Sequence, residues 1–437
     1  MSQSHIKIAI CDLNGILRSK YIAKTKYEKA LKEGLGFCDV IFGSDIDDQL
    51  IDNLHFTGWH RGYPDVKLQI VDDSKRQLTY EDDRDFVLCE LANDHASHCP
   101  RGILRSVIKR ASHMGFDAYA GMEYEFTLFD ETPNSLHDNQ FSNLKPVTPG
   151  NFGYSLLRTS QLSEFYDLLL KTCEQMNLPL EGLHTEIGPG VLEAAIAKAP
   201  ILEAADRAII FKSVVKALAQ QFGWTACFMA KWTPENQGQS GHIHLSLRDQ
   251  NQQNVFYDEA QPHHISQALS YFIGGQQHLM PEFLSLNAPF INSYARLVPG
   301  YWAPVQATWG IDNRTCALRV IQGSAHAQRI EYRIAGADSN PYLAMSAALS
   351  SGLCGIENQI KPTAPIAGNA YELAHDSHLA LPTTLCKSAE NFRRSEHAQI
   401  FFDKKFIEDY ATIKDWEILQ YQKAVTDWQL ARYFELA

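Results

Sequence analysis

Three short runs each set two polar groups on alternate residues: Glu123-Tyr124-Glu125, His242-Ile243-His244 and Glu331-Tyr332-Arg333. In a β-strand residues i and i+2 point to the same face, so each run aims a pair of functional groups at one place. A fourth run, Glu186-Ile187-Gly188-Pro189-Gly190 followed by Glu193, carries a turn that can fold two carboxylates back toward one point. Several carboxylates with a single imidazole suit a hard divalent cation, magnesium or manganese; zinc takes more histidine or thiolate. Two such ions fit this many carboxylates, whose mutual repulsion without cations would cost on the order of several kcal/mol. Taken singly, each pair is compatible with a solvated strand face. Their conjunction, flanked by Gly121, Phe126, Gly241 and Leu245, indicates a site.

Arg296, Arg314, Arg319, Arg329 and Arg333 form a second group. A guanidinium is a fixed cation with a planar fork that matches carboxylate and phosphate oxygens, although any one of these residues alone would serve as well in a surface ion pair. Metal and arginine together suggest phosphoryl transfer. The chain has no G-x-x-x-x-G-K-[ST] loop and no G-x-G-x-x-G fingerprint, so a nucleotide must be held by cations and arginines instead of a glycine-rich cradle. No G-x-S-x-G elbow is present either.

The elements that must position these groups follow from periodicity. Ile6 to Asp12 and Ile16 to Ile22 flank a Leu13-Asn14-Gly15 turn and predict a hairpin. A helix with Tyr27, Ala30 and Leu31 on one face ends at Gly34 and Gly36, and Val66 to Val71 and Phe86 to Leu91 predict further strands. The polar stretch Ala92 to Pro100 predicts a linker, which places a domain boundary near Cys99, with domains 1–99 and 100–437. Beyond it, helices are expected over Arg101 to Met114, Leu162 to Met176 and Ala204 to Phe222, and a strand over Ala118 to Phe129. Leu136 to Gly153, Asn287 to Pro304 and Lys361 to Gly368 are expected as loops, the first of them long enough for a cover over a site. Pro341 to Ile356 predicts a helix of small residues packed closely against a sheet.

Composition narrows the function classes. With 45% hydrophobic and 21% charged residues over 437 positions, the chain can bury a large core. Fifty-one acidic against 39 basic residues give a net charge of −12, which argues against nucleic acid as a partner. Nine scattered cysteines with no C-x-x-C pair argue against a disulfide framework, and a reducing cytoplasm is expected. Nothing resembles a signal peptide or a membrane span, so a soluble protein with no membrane partner is expected.

In order and spacing, several segments resemble the glutamine synthetases of the bacterial type I form and their gamma-glutamylamine synthetase relatives. They are Gly121-Met122-Glu123-Tyr124-Glu125-Phe126, His184-Thr185-Glu186-Ile187-Gly188-Pro189-Gly190, Phe228-Met229-Ala230-Lys231, Asn292 to Gly300, Asp312-Asn313-Arg314, Arg329 to Arg333 and Asn340-Pro341-Tyr342-Leu343. The resemblance covers nearly the whole chain. It implies an α+β fold: a small β-grasp N-terminal domain, then a catalytic domain on a curved antiparallel sheet with flanking helices. It also implies a homo-oligomer of hexameric rings stacked as a dodecamer, each active site completed by a neighbour's N-terminal domain.

Carried over by position, the resemblance makes Glu125, Glu186 and Glu193 ligands of a metal near the substrate carboxylate. Glu123, His242 and Glu331 become ligands of a metal near the ATP phosphates. Arg296, Arg333 and Gly238 are matched to glutamate binding and Arg314 to the transferring phosphoryl group, with Arg314 and Arg296 the catalytic pair. Glu181, His244, Ser246, Arg319 and Arg329 are matched to ATP. The implied partners are ATP, L-glutamate and an amine, with two or more Mg2+ or Mn2+ ions per site.

The departures bear on the amine. Ammonia-using members carry a glutamate in a Gly-Tyr-Glu-Ala-Pro flap, whereas this chain reads Gly300-Tyr301-Trp302-Ala303-Pro304. The Phe-Asp-Gly-Ser-Ser segment is replaced by Phe42-Gly43-Ser44-Asp45-Ile46, and the usual Gly-Ser-Gly-Met-His by Gly238-Gln239-Ser240-Gly241-His242. No adenylylation tyrosine segment is found. Trp302 offers a π face to an organic amine or a polyamine, so an ATP-dependent glutamate–amine ligase is expected. An ordinary glutamine synthetase, a catalytically inactive ring protein and a guanidino phosphotransferase are the competing readings.

Overall fold

The computed structural model describes residues 4–374 and 376–436. The N-terminal hairpin forms as β1 (His5–Cys11) and β2 (Leu17–Ala23) in antiparallel register. Asp12 closes its turn, accepting hydrogen bonds from the backbone N–H groups of Asn14 and Ile16 at 2.9 Å each, and Gly15 takes a positive φ of 78°. A helix, Lys24–Glu33, stops at Gly34, also at positive φ. Gly36 lies beyond that stop in β3 (Leu35–Cys38), a strand the sequence reading missed. With β4 (Asp65–Leu78) and β5 (Arg84–Leu91) these strands form a five-stranded sheet ordered β2-β1-β5-β4-β3, in which β1 and β5 run parallel.

The larger sheet holds β6 (Asp117–Phe129), β7 (Leu180–Thr185), β8 (Val191–Pro200), β9 (Thr225–Cys227), β10 (Gly241–Arg248), β11 (Trp309–Ile311), β12 (Leu318–Ile321) and β13 (Arg329–Tyr332). Its order is β11-β12-β13-β10-β6-β8-β7, with β9 also paired to β6. The expected antiparallel sheet is corrected at one edge, where β11 and β12 run parallel. One face of β6 is apolar: Tyr124 and Phe126 are fully buried against Phe211 of the long helix Ile201–Gln221. That packing commits the alternate residues Glu123 and Glu125 to the opposite face.

Two sequence expectations change. The stretch Ala92 to Pro100 is no free linker: it winds a 3-10 helix, Asn93–His98, and the His98 ring stacks on Phe56 with centroids 4.6 Å apart, while Cys99 is buried. Side chains also cross the division expected near Cys99, because Ile8 and Val87 share a core with Phe283, Phe392 and Phe406. The small-residue helix, Pro341–Glu357, packs on the helix Gln267–Asn287 in place of the sheet. A Cβ at Gly275 would lie 2.2 Å from the Ser351 carbonyl oxygen, and one at Gly355 2.1 Å from that of Tyr271. Apolar content marks that helix as buried without saying what covers it. Leu136 to Gly153 begins in the short helix Pro133–Asp138, held by a Thr132–Ser135 capping box, and continues without regular structure to Gly153. All nine cysteines are free.

Candidate active site

Strand register brings the distant sequence pairs together. On β6, Glu123 sits opposite His242 of β10, and Glu125 opposite Glu193 of β8. His244 of β10 is paired with Glu331 of β13, which faces Arg319 of β12, and His184 of β7 faces Glu193. Two clusters result, in each of which one donor atom per residue lies within 4.8 Å of the others: Glu123 with His242 and Glu331, and Glu186 with Glu193 and His184. Glu125 lines the same cavity as the carboxylates of both, its Oε2 accepting the Ser240 N–H at 2.6 Å.

His184 joins the second cluster although its sequence context suggests no role for it. Its Nε2 lies 3.6 Å from Glu186 and 3.7 Å from Glu193, and its ring stacks on Tyr154 at 4.4 Å. Alternation along β7 could have drawn attention to it, but only pairing with β8 makes it Glu193's neighbour.

A cavity of about 290 Å³ is lined by Glu123, Glu125, Glu186, Glu193, His242 and Glu331 together with Gly238, Arg296, Trp302, Arg314, Arg319 and Arg333. A second, of about 250 Å³, contains Glu181, His244, Ser246 and Arg329, with Lys198 and His326 as lining residues that the sequence did not suggest. Glu123 belongs to both, and Gly121, without a side chain, is opposite His244 in register and lines the second.

The arginines differ in their partners. Glu331, 1% exposed, is held by Arg333 Nη1 at 2.5 Å and Arg319 Nη1 at 2.9 Å, and Arg319 also reaches Asp312. Arg296 is buried and donates to the carbonyls of Ile334 and Arg333; burial lowers its pKa to about 10. Gly238 presses on it, because a Cβ there would lie 2.6 Å from Arg296 Cγ. Arg314 is exposed at the rim of the larger cavity. Arg329 Nε donates to His244 Nδ1 at 3.0 Å, leaving Nε2 of that ring to carry the proton 3.0 Å from Glu123 Oε1.

The carboxylates feel one another. Burial, then the charges of Glu125, Glu123, Glu186 and Glu331, push Glu193 up to about 9. Burial also opposes ionisation of Glu331, but Arg333 and the two nearby histidines hold it down at about 2. Glu123 is likewise held low against burial by His242 and His244. Nε2 of both His184 and His242 is buried without a hydrogen bond. Crowded oxygen donors, one carboxyl forced to keep its proton and unpartnered imidazole nitrogens together fit hard divalent cations.

This sheet sets two carboxylate–imidazole clusters beside arginines, an arrangement that fits an ATP- and metal-using ligase. Residues 97–433 match the family model described as the glutamine synthetase catalytic domain, and the chain belongs to the glutamine synthetase family of ATP-dependent ligases. Members use ATP and divalent metals, with glutamate and an amine as the other substrates. Type-1 glutamine synthetase 2 of Dictyostelium discoideum is 44% identical over 437 residues, covering 99% of this chain and 84% of its own length. The glutamate–isopropylamine ligase of a Pseudomonas species is 38% identical over 436 residues, covering 99% of this chain and 95% of its own. In fold, a solved GmaS/ADP complex superposes with a TM-score of 0.86 at 24% identity, covering 99% of this chain and 96% of that one. No helix among the described residues is long and apolar enough to cross a membrane.

Proposed function

We propose that the chain joins the gamma-carboxylate of L-glutamate to an organic amine, forming a gamma-glutamylamide with release of ADP and phosphate. In this reading Glu125, Glu186 and Glu193 hold one Mg2+ or Mn2+ ion, and Glu123, His242 and Glu331 another. Such ions neutralise phosphate charge and make the gamma-phosphorus of ATP more electrophilic. Arg296 and Arg333 orient glutamate beside Gly238. Its gamma-carboxylate oxygen attacks phosphorus as the bond to ADP breaks, with Arg314 donating to the transferring oxygens. Glu181, His244, Ser246, Arg319 and Arg329 receive ATP in the adjoining cavity. The amine nitrogen, as its free base, then attacks the acyl carbon, phosphate leaves with the electron pair of the C–O bond, and the nitrogen's surplus proton passes to the departing phosphate.

Trp302 carries the choice of amine. It lines the larger cavity, is 49% exposed, and sits at a positive φ of 59°, a costly conformation for a bulky side chain. Arg333 Nη2 donates to its carbonyl at 3.4 Å, which ties the indole-bearing loop to the substrate arginine. An exposed indole presents apolar area and a π face at the mouth, where it favours alkyl carbon or an organic ammonium over bare ammonium. The Pseudomonas relative named a glutamate–isopropylamine ligase supports this reading. The Dictyostelium relative named a type-1 glutamine synthetase favours ammonia.

Trp302→Ala decides between them. Loss of the indole is expected to raise KM for organic amines by about three- to thirtyfold, equivalent to about 0.6–2 kcal/mol, while ammonium-dependent turnover stays within a factor of about two. Equal effects on both classes in steady-state ADP-release assays would remove Trp302 from amine selection.

The same reading includes a homo-oligomer of stacked hexameric rings in the cytoplasm. It is supported by large apolar side chains left exposed on one chain, among them Leu156 at 83%, Phe434 at 86% and Leu436 at 88%.

A further inference from the structure

A third group of ligands lies outside both active-site clusters: His278, Glu282 and His397, each offering a donor atom within 4.8 Å of the other two. His278 and Glu282 are four residues apart on the helix Gln267–Asn287 and so share one face. His397 comes from another element, the residue before the short helix Ala398–Phe401. Its Nδ1 lies 3.3 Å from Glu282 Oε2, and its ring meets that of His278 edge to face at 5.4 Å.

The carboxylate is oriented from behind. Ser395 Oγ donates to Glu282 Oε2 at 2.5 Å while accepting the backbone N–H of Ala398 at 2.8 Å, which fixes the direction of the hydroxyl proton. Ser395 itself is buried, although the three ligands are half-buried or exposed and open to solvent on one side. A carboxylate held by a fixed hydroxyl, two imidazoles and an open side make the donor set of a transition-metal site with three protein ligands and water as a fourth.

We infer that His278, Glu282 and His397 bind a zinc-class transition metal ion, separate from the magnesium-class ions of the active site. Two imidazoles with one carboxylate select zinc, cobalt(II) or nickel over magnesium, whereas the carboxylate-rich active-site clusters suit the harder ions. Binding ties the helix Gln267–Asn287 to the junction between Leu385–Arg394 and Ala398–Phe401. The role is structural and independent of the amine chosen.

The test is equilibrium dialysis of the full-length protein, free of any histidine tag, against zinc chloride with magnesium in large excess, followed by elemental analysis. Wild type is expected to retain one zinc per chain and His278→Ala/His397→Ala none, while magnesium-supported ADP formation is the same in both. Ser395→Ala should weaken zinc binding by about tenfold, as loss of an orienting hydrogen bond does. Thermal melts provide a readout independent of activity: zinc should raise the melting temperature of wild type but not of the double variant. Equal zinc content in wild type and the double variant, or complete displacement of zinc from wild type by magnesium, would overturn the site.

Discussion

Glu193 shows how the site's chemistry is linked to its stability. Its carboxyl, ordinarily near 4.5, is pushed to about 9 by burial and by four neighbouring carboxylates. In the metal-free fold it therefore keeps a proton that the unfolded chain gives up. The stability this contributes is fully present below pH 4.5 and is lost as pH rises toward about 9. Thermal melts in chelator should thus show wild type losing stability across that window relative to Glu193→Gln, and magnesium should abolish the difference by taking the proton's place. A constant difference between the two proteins from pH 5 to about 9 would contradict the crowding of these carboxylates. At this scale much was legible in sequence: Glu123, Glu125 and His242 of the Glu-x-Glu and His-x-His runs line one cavity with Glu186, Glu193 and Glu331 of the other two runs. The ion pair of Glu331 with Arg319 was not, because alternation along a strand gives the face that Glu331 shares with Arg333 and not the partner across it.

Among the elements, pairing does what no single run can. The chain separates Glu123 from Glu331 by some two hundred residues, yet β10 lies between β6 and β13 and brings both to His242. The hairpin β1–β2 and the strand β6 were readable because turn chemistry and an alternating buried face are local signals. The parallel edge pair β11–β12 was not, since each strand is only three or four residues long and its direction depends on tertiary contacts. The helix Pro341–Glu357 was readable as a helix but not as the partner of Gln267–Asn287. That contact depends on glycine: Gly275→Ala must push its methyl into the Ser351 carbonyl, and a loss of about 1–3 kcal/mol is expected by chemical denaturation. Unchanged stability would mean that the two helices separate easily.

For the whole molecule, the exposed apolar residues of the last segment matter most. Trp428, Phe434 and Leu436 cover no core of their own chain, which fits a surface that packs in an assembly. Light scattering of the full chain should give a mass that is a multiple of six protomers, and removal of the residues from Val425 onward should reduce it. A monomer at working concentration would contradict the ring. Catalysis itself is most directly tested by a mixed-amine incubation: protein, ATP, magnesium, glutamate, ammonium and equimolar alkylamines, ethanolamine and diamines, with products separated by mass. A gamma-glutamylamide of an organic amine should dominate, each formed with one ADP. Glutamine as the main product, formed faster than every organic amide, would contradict the account.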